Sequence, residues 1–125
     1  NNMMKIQVIG DVILKGSSSE QTTAVVSGVA IVAKSLEDAK DRIDSGDILV
    51  LSEGTADYLP LLPEVSGIVV EDDKVDAELS VEAMKRDIPV IYGAKNAKTK
   101  LIDGTMITLD GKRAIILSGR TEGEK

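Results

Sequence analysis

Apolar residues recur with two different periods along this chain, and the change between them outlines a layered α/β domain. Residues 4–9, Met-Lys-Ile-Gln-Val-Ile, alternate apolar with polar as a half-buried strand does. Gly10 stops that run, and Val12-Ile13-Leu14 adds a short apolar stretch. Gly16-Ser17-Ser18-Ser19-Glu20-Gln21-Thr22-Thr23 is small and polar throughout and predicts a linker. From Val25 to Ala33 the pattern is a strand, with Gly28 as a bulge signal. Ser35 followed by Leu36-Glu37-Asp38 predicts a helix N-terminus, and the helix runs through Ala39 and Ile43 toward Gly46. Asp47-Ile48-Leu49-Val50-Leu51 is a compact buried strand. Thr55 to Leu59 opens a helical turn limited by Pro60 and Pro63.

Gly67-Ile68-Val69-Val70 is the next strand. Asp76 to Arg86 reads as a helix, with Ala77, Val81, Met84 and Ile88 recurring on one apolar face. Pro89 to Gly93 is a strand, Asn96–Leu101 a short helical turn, and Thr105–Leu109 with Arg113–Leu117 a hairpin around Asp110-Gly111. Strand and helix alternate in the middle, which predicts parallel strands with crossover helices. The flanks are strand on strand. The expected body is therefore three-layered: a parallel central sheet, helices on one face and further strands on the other.

Composition narrows the core chemistry. The chain has 125 residues, enough for one ordinary domain, and only two tyrosines as aromatics. Its core must be aliphatic, which suits strands packed under helices. A net charge of −6 with almost no rings argues against nucleic-acid binding. There is no cysteine, so disulfides, thiolate catalysis and zinc–thiolate sites are excluded. No apolar stretch is long enough to span a bilayer, and no signal-peptide core is visible, so a cytoplasmic protein is expected. There is also no histidine, which rules out both an imidazole base and a phosphohistidine.

Three stretches carry a family resemblance. Gly67 to Asp72 resembles the strand entering the phosphohistidine loop of the phosphoenolpyruvate-utilising enzymes. Asp87-Ile88-Pro89-Val90-Ile91-Tyr92-Gly93-Ala94 resembles the "G-I-P-x-V-x-G" segment after the helix, and Leu101 to Gly111 the "l-x-D-G-x-x-v-x-v-D" ending. With Gly46 to Val50 they cover roughly residues 25–119 in the family's order. The fold implied is the swivelling β/β/α domain. Val26 to Ala39 further resembles the start of the extra C-terminal domain of pyruvate kinases from Bacillus-like bacteria, and Asn2 to Asp11 the last strand of the domain before it.

The resemblance implies residues 1–15 as the end of that preceding domain, 16–24 as linker, 25–119 as the swivelling domain and 120–125 as tail. It implies a structural or allosteric module whose partners are the catalytic and regulatory domains of the parent enzyme, within a homotetramer. The parent transfers a phosphoryl group from phosphoenolpyruvate to ADP with Mg²⁺ and K⁺, and none of its catalytic residues lies in this chain. No cofactor, metal, nucleic acid or membrane is expected for the domain itself. The alternative is a free-standing degenerate swivel domain that binds a protein partner.

The loop departs from the family's pattern. Counting back from Ile88-Pro89-Val90, Asp76-Ala77-Glu78 stands where Thr-Ser-His is expected, and Asp73-Lys74 where two glycines are. The nucleophile and the glycines that allow close backbone approach are both gone. What remains is an acidic cluster: Glu71, Asp72, Asp73, Asp76 and Glu78. Such carboxylates can hold Mg²⁺ or Ca²⁺, divide acid and base roles, or mimic a phosphoryl charge through Glu78. Helix capping explains them more simply. Lys95, Lys98 and Lys100 form a basic group that reads as a solvated helix face, and Tyr58 and Tyr92 as packing residues.

Overall fold

The computed structural model describes residues 10–120. The expected strand over 4–9 and residues 121–125 of the tail lie outside them. Seven strands form one sheet in the order β1-β7-β6-β2-β3-β4-β5. They are β1 (Val12–Lys15), β2 (Val25–Val32), β3 (Asp47–Leu51), β4 (Val65–Val70), β5 (Val90–Ile91), β6 (Met106–Asp110) and β7 (Ile115–Ser118). Helices α1 (Leu36–Arg42), α2 (Ala77–Lys85) and α3 (Ala97–Lys100), with a 3-10 helix over Ala56–Leu61, fill the connections.

The three layers come from one shared strand. The first half of β2 pairs antiparallel with β6, Val25 opposite Asp110 through Val29 opposite Met106. Its second half pairs parallel with β3, Ala30 opposite Ile48 through Val32 opposite Val50. β3, β4 and β5 continue the parallel part, and β6, β7 and β1 the antiparallel part. Ile48, Val50, Val69 and Ile91 point toward Leu14, Ile107, Leu109 and Ile116 in a core between the two sets of strands. Their alternating neighbours Leu49, Leu51, Ile68 and Val70 pack beneath Ala39, Leu61, Leu62, Leu79 and Ala83 on the helical side. Both faces of β3 are covered, which explains its unbroken apolar run. Each Leu or Ile buried this way contributes roughly 1.5–3 kcal/mol. The layering is the swivelling β/β/α arrangement expected from sequence.

Five local expectations differ. Val12–Lys15, assigned from sequence to a preceding domain, is a strand of this sheet and pairs with β7. The segment after it is sewn down at its start: Ser17 and Tyr92 exchange both backbone hydrogen bonds, at 2.8 and 2.9 Å, and the Ser18 hydroxyl donates to the Gly111 carbonyl at 2.6 Å. This seam joins the chain just after β1 to the end of β5, so the two edge strands meet. Gly16 is there because a Cβ would come 2.5 Å from the Tyr92 carbonyl oxygen. A flexible linker needs no such fit.

Gly28 is not a bulge. It stands in register opposite Ile107, and its missing side chain admits the Gly46 carbonyl oxygen, 2.2 Å from where a Cβ would be. Asp110-Gly111 does not form a two-residue turn either. Residues 111–114 make a longer loop, Ala114 takes the left-handed conformation at φ 55°, and the Asp110 carboxylate holds the Arg113 N–H at 3.1 Å. Finally, α2 turns a different face to the core: Leu79 and Ala83 are buried, while Ala77, Val81 and Met84 are exposed.

Candidate functional site

The loop that carries the phosphohistidine in the resembled family lies at the carboxyl end of the buried strand β4 and leads into α2. In an α/β sheet this is where ligand chemistry collects. Here Glu71 and Asp76 each accept a backbone N–H from another segment, and Asp72 accepts one within the loop. Glu71 accepts from the Lys98 N–H at 2.9 Å and so ties the loop to α3. The Lys98 ammonium reaches the Ser52 hydroxyl at 3.1 Å, beyond the end of β3. Asp72 accepts from the N–H of Asp73 at 2.8 Å, within its own loop. Its backbone is fixed on both sides, N–H to the Ser52 carbonyl and carbonyl to the Gly93 N–H.

Asp76 holds the N-cap position of α2 but does not cap it. Its carboxylate accepts instead from the Ala56 N–H at 3.0 Å, at the start of the 3-10 helix. The capping expectation is thus corrected for Asp76: the acid caps a neighbour, because the bridge between Val75 and Gly54 brings the two helix starts together. α1 shows the expected pattern by contrast, with the Asp38 N–H donating to the Ser35 hydroxyl at 3.0 Å. Asp73 and Glu78 are exposed. Glu78 sits in the first turn of α2, where its charge favours the helix dipole.

The five acids therefore diverge. Among the described residues, no three acidic side chains are grouped closely enough to hold a metal ion. A cavity of about 330 Å³ opens beside the loop, lined by Glu53, Thr55, Asp72, Lys74 and Asp76. It contains carboxylates, one ammonium and a hydroxyl, with neither imidazole nor thiol to carry a transferable group. Physically the loop is a clamp joining β3, α3 and the 3-10 helix.

A second charged constellation was not legible in sequence. Arg42, in the last turn of α1, forks onto Asp103 at 2.8 and 3.1 Å and reaches Asp38 at 3.1 and 3.3 Å. It also donates to the Val32 carbonyl at 3.1 Å. Asp103 accepts the Val32 N–H at 2.8 Å, and Asp38 accepts the Lys34 N–H at 2.9 Å. The carboxyl of Asp103 is held below the ordinary carboxylate range, chiefly by the Arg42 guanidinium. That of Asp38 is lowered first by the Lys34 N–H and then by Arg42. Arg42 is raised further above its usual value by both acids. The i, i+4 spacing of Asp38 and Arg42 was the available signal. The long-range partner, 61 residues on, carried none.

Comparison with known proteins agrees with this layout. The family described as "PEP-utilising enzyme, mobile domain" matches residues 43–114. The chain is 36% identical over 118 residues to the pyruvate kinase of Lactobacillus delbrueckii subsp. bulgaricus, covering 94% of this chain and 20% of that enzyme. It is 35% identical over 118 residues to the pyruvate kinase of Geobacillus stearothermophilus, with the same coverage. The similarity falls on the C-terminal portion of these enzymes, and the chain spans about a fifth of their length. A chain in the crystal structure of holo-form aconitase X from Thermococcus kodakaraensis superposes with a TM-score of 0.64 at 19% identity, over 86% of this chain and 98% of that one. At that identity the likeness is one of fold.

Proposed function

The chain belongs to the family of PEP-utilising enzyme mobile domains, and from that premise we propose that it is a non-catalytic C-terminal module of a bacterial pyruvate kinase. It packs on the catalytic subunits of a cytoplasmic homotetramer and biases their stability or allosteric equilibrium. The parent converts phosphoenolpyruvate and ADP to pyruvate and ATP, with Mg²⁺ and K⁺ at a catalytic site outside this chain. The module itself carries no phosphoryl group.

One observation carries this reading. The loop from β4 into α2 presents Asp73, Lys74, Asp76, Ala77 and Glu78 in a chain without histidine, and Glu71, Asp72 and Asp76 accept backbone N–H groups. A carrier domain needs a nucleophile presented on an open loop. A docked module needs a stiff one. An effect on the parent's allostery further requires contacts that differ between two quaternary states.

The test is to remove the module from the intact enzyme. The cut belongs before Asp11 and not after residue 24, because β1 is part of the sheet. Deleting residues 11–119 should lower the melting temperature by on the order of a few degrees or displace the effector titration. Superimposable melting curves and titrations for both forms would contradict the proposal.

A further inference from the structure

Helix α2 carries two apolar faces, and only one is used within the domain. At 3.6 residues per turn, Leu79 and Ala83 lie on one side and Ala77, Val81 and Met84 on the roughly opposite side. The first pair is buried against the sheet. On the second face, Val81 is 46% exposed and Met84 44% exposed, one turn apart. This is the stripe whose periodicity marks one apolar face in the sequence.

The surroundings of the stripe are shaped. On one side Val81 borders a groove of about 590 Å³ running along the 3-10 helix, floored by Leu59 and Leu62. On the other, Met84 borders a groove of about 560 Å³ lined by Ala24, Ile88 and Pro89. An apolar ridge between two grooves is the relief that interlocks with side chains of a facing element. The charges at the rim are unequal. Glu82 already has Lys85 at 3.3 Å and Arg86 at 4.0 Å. The Glu78 side chain, beside the Val81 groove, has no ion pair or hydrogen bond among the described residues. Asp87 lines the second groove, so the rim carries three acids, Glu78, Glu82 and Asp87, against two cations, Lys85 and Arg86, and its balance is negative.

We propose that the Ala77–Val81–Met84 face of α2 is the docking surface of the domain. Its occupant is an apolar segment of the parent polypeptide, flanked by a lysine or arginine that pairs with Glu78. This rests on the reading of the chain as an attached module and adds the face and the chemistry of its partner. Aliphatic side chains of the partner fill the two grooves, and the pair at Glu78 sets the register. The position left by the missing nucleophile then serves recognition.

Met84 supplies its own probe, because thioether oxidation by peroxide follows exposure. The measurement uses the intact native polypeptide, with peptide mass spectrometry reading Met84 and a synthetic peptide over residues 77–89 as the exposed reference. Docking predicts that Met84 in the intact protein oxidises at least roughly tenfold more slowly than in the peptide. Val81→Asp should abolish most of that protection, Val81→Leu should keep it, and Glu78→Lys should weaken it. Both positions face solvent in the isolated domain, so folding should survive, which circular dichroism checks. A polypeptide of pyruvate kinase size whose Met84 oxidises as fast as the peptide overturns the docking face alone. A native polypeptide near 13.3 kDa overturns the docking face together with the parent reading.

Discussion

Two charged regions of this molecule invite comparison: the loop between β4 and α2, and the joint around Arg42. The loop gathers five acids within eight residues, yet Glu71, Asp72 and Asp76 accept from three separate N–H groups, two of them outside the loop. The joint gathers its groups from residues 32–42 and from Asp103, 61 residues beyond Arg42, and they converge on one guanidinium. Density of charge in sequence is therefore a poor guide to a site, because like charges spread apart unless something holds them. Convergence needs a complementary centre, and Arg42 is that centre. The first region ties the ends of β3 and β4 to α3 and the 3-10 helix. The second keeps the last turn of α1, the end of β2 and the turn before β6 together.

The contrast predicts unequal responses to substitution. The largest effect should come from Arg42→Ala, which removes the donor shared by Asp38, Asp103 and the Val32 carbonyl. A loss of about 1–2 kcal/mol is expected in denaturant unfolding, after allowing for the partial exposure of these groups. Arg42→Lys should recover only part, since an ammonium cannot fork. An unchanged midpoint in both variants would show that the joint is decorative.

Asp76→Ala should cost about 1 kcal/mol by leaving the Ala56 N–H without its acceptor, whereas Asp76→Asn keeps an oxygen there and should cost less. Glu78→Gln, on the same helix start, should stay within about 0.5 kcal/mol. If Glu78 proved the costlier of the two in the isolated chain, the assignment of Asp76 as a cross-cap would be wrong.

The smallest effect is the acid response. Asp38 and Asp103 have lowered folded-state values, so their contribution is complete above the ordinary carboxylate value of 3.8 and is lost as pH falls through the lowered values. In Arg42→Ala the Asp103 carboxyl should titrate close to its ordinary value. That of Asp38 should move less, because the Lys34 N–H is its leading cause. Carboxyl carbon chemical shifts followed with pH would separate the two. Equal shifts of both would overturn that ranking of causes.

Much of the fold was legible because its signals are local. The buried runs of β3 and β4, the Ser35 cap and the alternation of strand and helix each follow from neighbouring residues. What was missed depends on contacts distant in sequence. Gly16-Ser17-Ser18 looks like a linker until Tyr92, Ala114 and Gly111 are brought beside it. Gly28 looks like a bulge until the Gly46 carbonyl arrives. The stripe on α2 is legible but its side is not, because the helix has two apolar faces, and periodicity cannot say which one meets the sheet. In the loop, the substituted residues were visible in sequence, but the direction of each carboxylate was not.

The central claim is that this domain is one part of a larger pyruvate kinase. The most direct measurement is the intact mass of the native polypeptide, detected with an antibody to this domain and followed through purification of the activity. The account predicts a species several times heavier than 13.3 kDa that co-purifies with pyruvate kinase activity. A species near 13.3 kDa, separated from that activity, would contradict it.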